Sequence, residues 1–275
     1  MAAILHLILE GDAKMPNPID ILLDPLSLTA FAVYAALITW EFLFPARTLP
    51  KVKYWHAMGL TAFVVYFLLS SYLPLITDQF LAPRQLWNLT ELPTVIQFGI
   101  GLFVFEGVLY AWHRTLHSVS PLWQSFHQMH HSAERLDTFG AFWFSPLDTL
   151  GFTLVGSVAL VLLVGINPSA TTAVLITTFF LAIFQHGNFK TPRWLGYFVQ
   201  RPESHSYHHA KGVHKNNYAD LPIFDLLFGT FVNPPKHLEN GFYHGASYRV
   251  VDMLLCRDIN KDTDTETNFP LEEAV

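Results

Sequence analysis

Histidine sets this chain apart: 14 of its 275 residues, almost as many as Lys and Arg together. Nine of them are grouped: His113 and His117; His127, His130 and His131; His186; and His205, His208 and His209. Within each cluster the spacings are three and four, so on a helix each set projects from one face. Two imidazoles a turn apart can share a metal ion, and a tight set of three can serve two ions. Packed without metal, these rings would repel one another when protonated, so the pattern reads as metal binding. His6, His56, His237 and His244 stand alone and read as surface or capping residues. A zinc ion takes about four ligands and an octahedral ion about six, so this many imidazoles imply two ions. Imidazole suits Fe, Zn, Cu and Ni alike, and ligand type alone does not choose among them.

The elements that must position these residues are apolar. Apolar residues make up 51% of the chain and charged residues 14%, against roughly 25% charged in soluble domains. Runs at 26–44, 55–76 and 92–112 approach or exceed the ~20 residues that cross a hydrocarbon core. Two shorter runs, 149–166 and 170–184, flank the turn-like Gly165-Ile166-Asn167-Pro168-Ser169 and predict either two spans or a dipping helical hairpin. The expected fold is an all-α polytopic bundle of four or five membrane helices, with a helical histidine-rich cap formed by 113–146 and 186–256. Residues 1–256 are expected to form one domain, and the polar 257–275 a disordered tail. The apolar start, Met1 to Leu9, lacks a basic leader and reads as a mature N-terminus.

Parity along these runs puts every clustered histidine at one membrane face. Fourteen of the 16 Lys and Arg fall on that same side, all but Lys14 and Arg84, which predicts that it is cytoplasmic. The expected membrane is the bacterial inner membrane or that of the eukaryotic endoplasmic reticulum. A net charge of −6 leaves no basic surface for nucleic acid, and the single Cys256 excludes an intrachain disulfide and a thiolate metal motif. Gly99-Ile100-Gly101 lacks the third glycine of a dinucleotide loop. A metal pair reached from lipid faces unactivated C–H bonds. Attacking them takes an oxidant made from O2, which iron can generate and redox-inert zinc cannot. Glu106 lies on one helical stripe with Tyr110, His113 and His117. A carboxylate within a span is costly unless paired or functional, so Glu106 is the candidate catalytic carboxylate, expected to accept a hydrogen bond from a ligand histidine or a coordinated water. It could equally do no more than bond a neighbouring helix. Asp148 could orient another ligand or complement a helix dipole.

The segments Trp112-His-Arg-Thr-Leu-His117, His127-Gln-Met-His-His131 and Pro202-Glu-Ser-His-Ser-Tyr-His-His209 resemble the fatty acid hydroxylase superfamily, often called the sterol desaturase family. So does the stretch from Asn217 to Phe231, and the resemblance covers about residues 93–232. It implies an integral-membrane di-iron centre, O2 as oxidant, a lipid substrate such as a sterol or fatty acyl chain that is hydroxylated or desaturated, and electrons from a separate reductase, ferredoxin or cytochrome. Carried over, the ligands are His113, His117, His127, His130, His131, His186, His205, His208 and His209. Some members offer a further histidine four residues after the one matching His186; here that position is Lys190, and His214 is the candidate for a tenth ligand. A histidine-rich metal transporter would place ligands within the spans, and a zinc hydrolase needs fewer ligands and a His-Glu-x-x-His sequence that is absent.

Overall fold

The computed structural model describes residues 15–260. His6 and the N-terminal stretch Met1 to Leu9 lie outside them, as does the polar tail from 261. Five helices are long and apolar enough to cross a membrane: α1 (Pro25–Leu43), α2 (Trp55–Leu81), α3 (Thr94–Ser118), α4 (Pro146–Ser157, continued by a π-helical stretch Val158–Leu163) and α5 (Pro168–His186). Three of them start alike, with a short polar cap followed by proline. Asp24, Ser145 and Asn167 accept the N–H groups of Leu26, Asp148 and Ala170 at 2.9, 3.1 and 2.8 Å. Pro25, Pro146 and Pro168 take the first helical position, where a missing N–H costs nothing.

The fourth and fifth runs are thus two full-length antiparallel helices, so the count is five. The helix α3 continues past the expected end at 112 to Ser118. The histidine-bearing turns are an extension of the span and not a separate cap helix, because nothing between Trp112 and Ser118 breaks helical geometry. Among α3, α4 and α5, Phe105 and Leu109 pack with Val155, Ala159, Leu160 and Val174. Close approach depends on small residues: a Cβ at Gly151 of α4 would come within 2.6 Å of the Trp112 ring of α3. Away from the histidines, two-residue strands β1 (Trp87–Asn88) and β2 (Val164–Gly165) pair in parallel and tie the loop before α3 to the end of α4.

At the histidine end, short helices and loops cover the bundle. Trp55 donates its indole N–H to Asp137 at 2.8 Å, and Glu41 accepts the backbone N–H groups of Thr138 and Asn188 at 2.8 and 3.0 Å. Each bond clips a loop of the cap to the end of α1 or α2. The cap has its own apolar centre, where Trp55, Met129, Trp143, Phe242 and Met253 meet. Ile259, within the segment expected to be tail, is fully buried in it.

Candidate metal centre

Four pieces of chain bring the clustered histidines together. His113 and His117 end α3, His186 ends α5, and His205 and His208 sit on the short α6 (Pro202–His208) with His209 next. The remaining set follows a π-helical turn, Trp123–His127, that runs into the short helix Gln128–His131. All nine sequence-predicted ligands fall into two groups: His113, His117, His127, His131 and His208; and His130, His186, His205 and His209. Within each group one nitrogen per residue lies within 4.8 Å of the others.

Helical geometry explains the partition. In each three-histidine set the residues four apart share a face and enter the same group: His127 with His131, His205 with His209. The odd member, His130 or His208, enters the other group. One set therefore contributes two rings to each group's own side and one to its neighbour, which locks the groups side by side.

The first group is held from outside. The Nδ1 nitrogens of His113, His117 and His208 lie 2.8, 2.9 and 2.6 Å from the carbonyls of Tyr218, His214 and Asn216. Those of His127 and His131 meet Asp148 Oδ2 at 2.9 Å and His214 Nδ1 at 3.0 Å. An imidazole that donates from Nδ1 keeps the Nε2 lone pair for a metal. His117, His131 and His208 each leave Nε2 buried without a hydrogen-bonding partner. The Nε2 atoms of His113 and His127 face each other at 2.9 Å. In the second group Nε2 faces Nε2 in series, His130 to His186 at 3.0 Å, His186 to His205 at 3.0 Å and His205 to His209 at 3.1 Å.

These contacts fit metal ions. Two nitrogens bound at ~2.1 Å stand about 3.0 Å apart across a right angle and about 3.4 Å apart across a tetrahedral one. The observed 2.9–3.1 Å is short enough for both nitrogens of each pair to reach one ion. Burial, then neighbouring imidazoles, push His127, His130, His131, His205 and His209 well below the ordinary histidine range. Burial does the same for His208. These rings are therefore neutral at pH 7, the state that binds metal.

Two expectations about supporting residues separate here. Asp148 does orient a ring, that of His127. Glu106 does not: its Oε2 accepts the Leu221 N–H at 3.0 Å, and no histidine bonds it among the described residues. The stripe reasoning put Glu106 on the right face of α3, but it lies two turns from His113 and meets the loop before the short helix α7 (Ile223–Phe228) instead. His214 stands behind the first group, one partner removed from it, and Lys190 is exposed. Sequence reasoning missed the carbonyls of residues 214–218. His214, Asn216 and Asn217 have φ of 43, 70 and 53°, the left-handed region that Asn tolerates best among residues with a side chain. The Asn216-Asn217 pair was the available signal. Asn217 holds the loop by bonding Ser204 O, Val232 O and the Val232 N–H, each at 2.8 Å.

A cavity of about 390 Å³ runs between the helices and reaches both groups at His113, His127, His130, His186 and His205. Most of its wall is apolar. Phe144 and Phe152, stacked at 5.4 Å, stand beside His130 and His113.

Residues 98–230 match the sequence profile of the fatty acid hydroxylase family. An ornithine lipid hydroxylase of Rhizobium tropici is 34% identical over 148 residues, 52% of this chain and 44% of its own length. A sphingolipid C4-hydroxylase of Schizosaccharomyces pombe is 24% identical over 159 residues, 56% of this chain and 53% of its own. The chain thus spans about half the length of the curated relatives it matches. No solved structure matches it. The matched region, just under half of the chain, holds every histidine of both groups and the loop that orients them, and over it this chain is similar to the fatty acid hydroxylase family.

Proposed function

We propose that this protein is a membrane-bound, non-haem di-iron oxygenase that hydroxylates a lipid C–H bond. The observation that carries this reading is a largely apolar cavity, set among membrane-spanning helices, that ends on two adjacent groups of neutral imidazoles. Both relatives are lipid hydroxylases by name, which favours hydroxylation over desaturation.

The first group would hold one ion and the second the other. Iron bound there supplies the O2-dependent oxidising power that an unactivated C–H bond requires. The protein's own part is to position and to insulate. Tyr218, His214, Asn216 and Asp148 fix the rings of the first group so that Nε2 faces inward. Phe144 and Phe152 press an alkyl chain toward the histidines and keep bulk water away. Hydroxylation consumes O2, two electrons and two protons for each alcohol and water formed. Asp220 lines the cavity, and burial pushes its carboxyl up to about 7, so it can carry a proton into this space. The electrons come from a separate reductase, ferredoxin or cytochrome. The excess of Lys and Arg at the histidine end supports a cytoplasmic face for the site, where such donors reside.

The test is metal content and product together. Protein from iron-supplemented cells is expected to hold about two irons per chain. His208→Ala in the first group and His130→Ala in the second should each lower that number. Reduced protein given membrane lipid extract and isotopically labelled O2 should yield a lipid alcohol carrying the label. Folded protein that binds no iron, or that carries iron yet never places label in a lipid, refutes the reading.

A further inference from the structure

The cavity extends far beyond the histidines. Along α5 it is lined from Pro168, Thr171 and Thr172 to Gln185 and His186, and along α2 from Tyr66 to Asp78 and Ala82. At ~1.5 Å per residue, Thr172 to His186 covers about 21 Å and Tyr66 to Asp78 about 18 Å. It therefore crosses most of the ~30 Å hydrocarbon layer, with the histidines at one end.

The other end is polar. Ser27, Ser70, Ser71, Asp78, Gln85 and Ser157 line it. Asp78 is the chemically demanding member: it is 8% exposed and sits in α2, one turn before the helix ends. It accepts the Thr77 hydroxyl at 3.2 Å and a hydrogen bond from the Ser157 side chain, and no cation pairs with it among the described residues. A carboxylate so placed in a span is expensive unless it meets a partner, and here it lines a cavity deep enough to admit one. Between the two ends the wall is mostly apolar, with Phe67, Leu75, Phe105, Leu109, Leu160 and Leu175, suited to an alkyl chain.

We propose that the cavity takes one single-chain segment of a lipid whose head group carries an ammonium, seated against Asp78, with the chain running across the membrane to the histidines. The orientation follows from the charge: the anionic end recognises the head, and the oxidising end meets the tail. This rests on the reading of the histidine groups as the oxidising centre. It adds a consequence for regiochemistry. An extended chain advances ~3.5 Å per three bonds, so a carbon about 20 Å from the head is on the order of 17 bonds along it. Oxidation falls far out on the chain and not beside the head group.

Binding tests this without turnover. Full-length protein in nanodiscs is titrated with radiolabelled stearylammonium, stearyl alcohol and stearate, amphiphiles of one chain length that differ in head charge. The wild type should bind stearylammonium at least ~10-fold tighter than stearate, a ratio in keeping with one charged pair made or lost. Asp78→Asn, of the same shape without the charge, should reduce that ratio to within about twofold while iron content stays at the wild-type value. Leu175→Trp, which fills the channel between the ends, should weaken all three. Equal binding by the wild type, or a preference that survives Asp78→Asn, overturns the proposal. Iron content and lipid oxidation are measured on the same samples, so failure of the oxygenase reading shows there and leaves the head-group result to be judged separately.

Discussion

The two histidine groups lie side by side and share their sequence sources, yet they are supported differently. Each of the five rings in the first group has its Nδ1 engaged by an outer partner. In the second group only His186 does, through the Ala182 carbonyl at 2.5 Å. The Nδ1 atoms of His130, His205 and His209 are buried with no partner. One group is built before metal arrives; in the other the metal itself must supply most of the order. Outer partners of this kind typically contribute 10–100-fold in metal affinity. The comparison therefore predicts that the second group releases its ion first. Titrating iron-loaded protein with a chelator and following both irons by Mössbauer spectroscopy should give two phases at least ~10-fold apart. The early phase should vanish in His209→Ala. A single phase would mean that outer hydrogen bonds do not set the affinity here.

The difference can be narrowed to one contact. Asp148 Oδ2 accepts from His127 at 2.9 Å, and the carboxylate is fully buried. Asp148→Ala should cost the first group about 10–100-fold in affinity and leave the second unchanged. The two chelation phases should then converge or exchange order. If both groups loosen equally, Asp148 acts on the fold and not on His127.

A smaller effect is expected one step further out, at Asn217. Its side chain makes three hydrogen bonds at 2.8 Å, and its neighbour Asn216 presents the carbonyl that orients His208. Leaving backbone groups buried and unpaired costs ~1–3 kcal/mol each. Asn217→Ala is therefore expected to lower the melting temperature and to loosen the first group. Asn217→Gly removes the strain of φ 53° but not the lost bonds, so it should recover only part of the stability. Full recovery by glycine would assign the effect to backbone conformation alone.

These contacts also show what was legible in the sequence. Spacing of three and four made the ligand sets visible, because a helix face is a property of the chain alone. The apolar runs gave four or five spans for the same reason, with the last pair left open between two spans and a hairpin, and with their ends misjudged where polar but helix-compatible residues continue, as from His113 to Ser118. What supports the rings was not legible, since most of it is backbone. Carbonyls of residues 214, 216 and 218 face α3 and α6 because three residues adopt positive φ, and the Asn216-Asn217 pair hints at that backbone without saying which rings its carbonyls would meet. Glu106 illustrates the reverse error. Its position on the stripe was right, but which loop would meet it depended on tertiary packing. Asp78 went unremarked because it lies just beyond the expected end of its run at 76; it acquired meaning only when the cavity wall was traced.

The smallest expected effect concerns His214, which touches the first group without belonging to it. Burial pushes its ring down to about 3, so in the folded protein it stays neutral where an unfolded histidine, near 6.5, takes up a proton. Between those two values the unfolded state binds more protons, and stability falls as the pH falls. Above about 6.5 the ring has little pH-dependent effect, and at pH 5.5 it costs on the order of 1 kcal/mol. His214→Asn keeps a residue that tolerates positive φ and keeps the carbonyl that His117 uses, while removing the titrating ring. Metal-free His214→Asn should lose less melting temperature than wild type between pH 7.5 and 5.5, a difference of a few degrees at most for ~1 kcal/mol in a chain this long. With metal bound, the same variant should loosen only the first group, through the lost contact to His131. An unchanged acid sensitivity would place the His214 ring in water and remove it from the outer shell of that group.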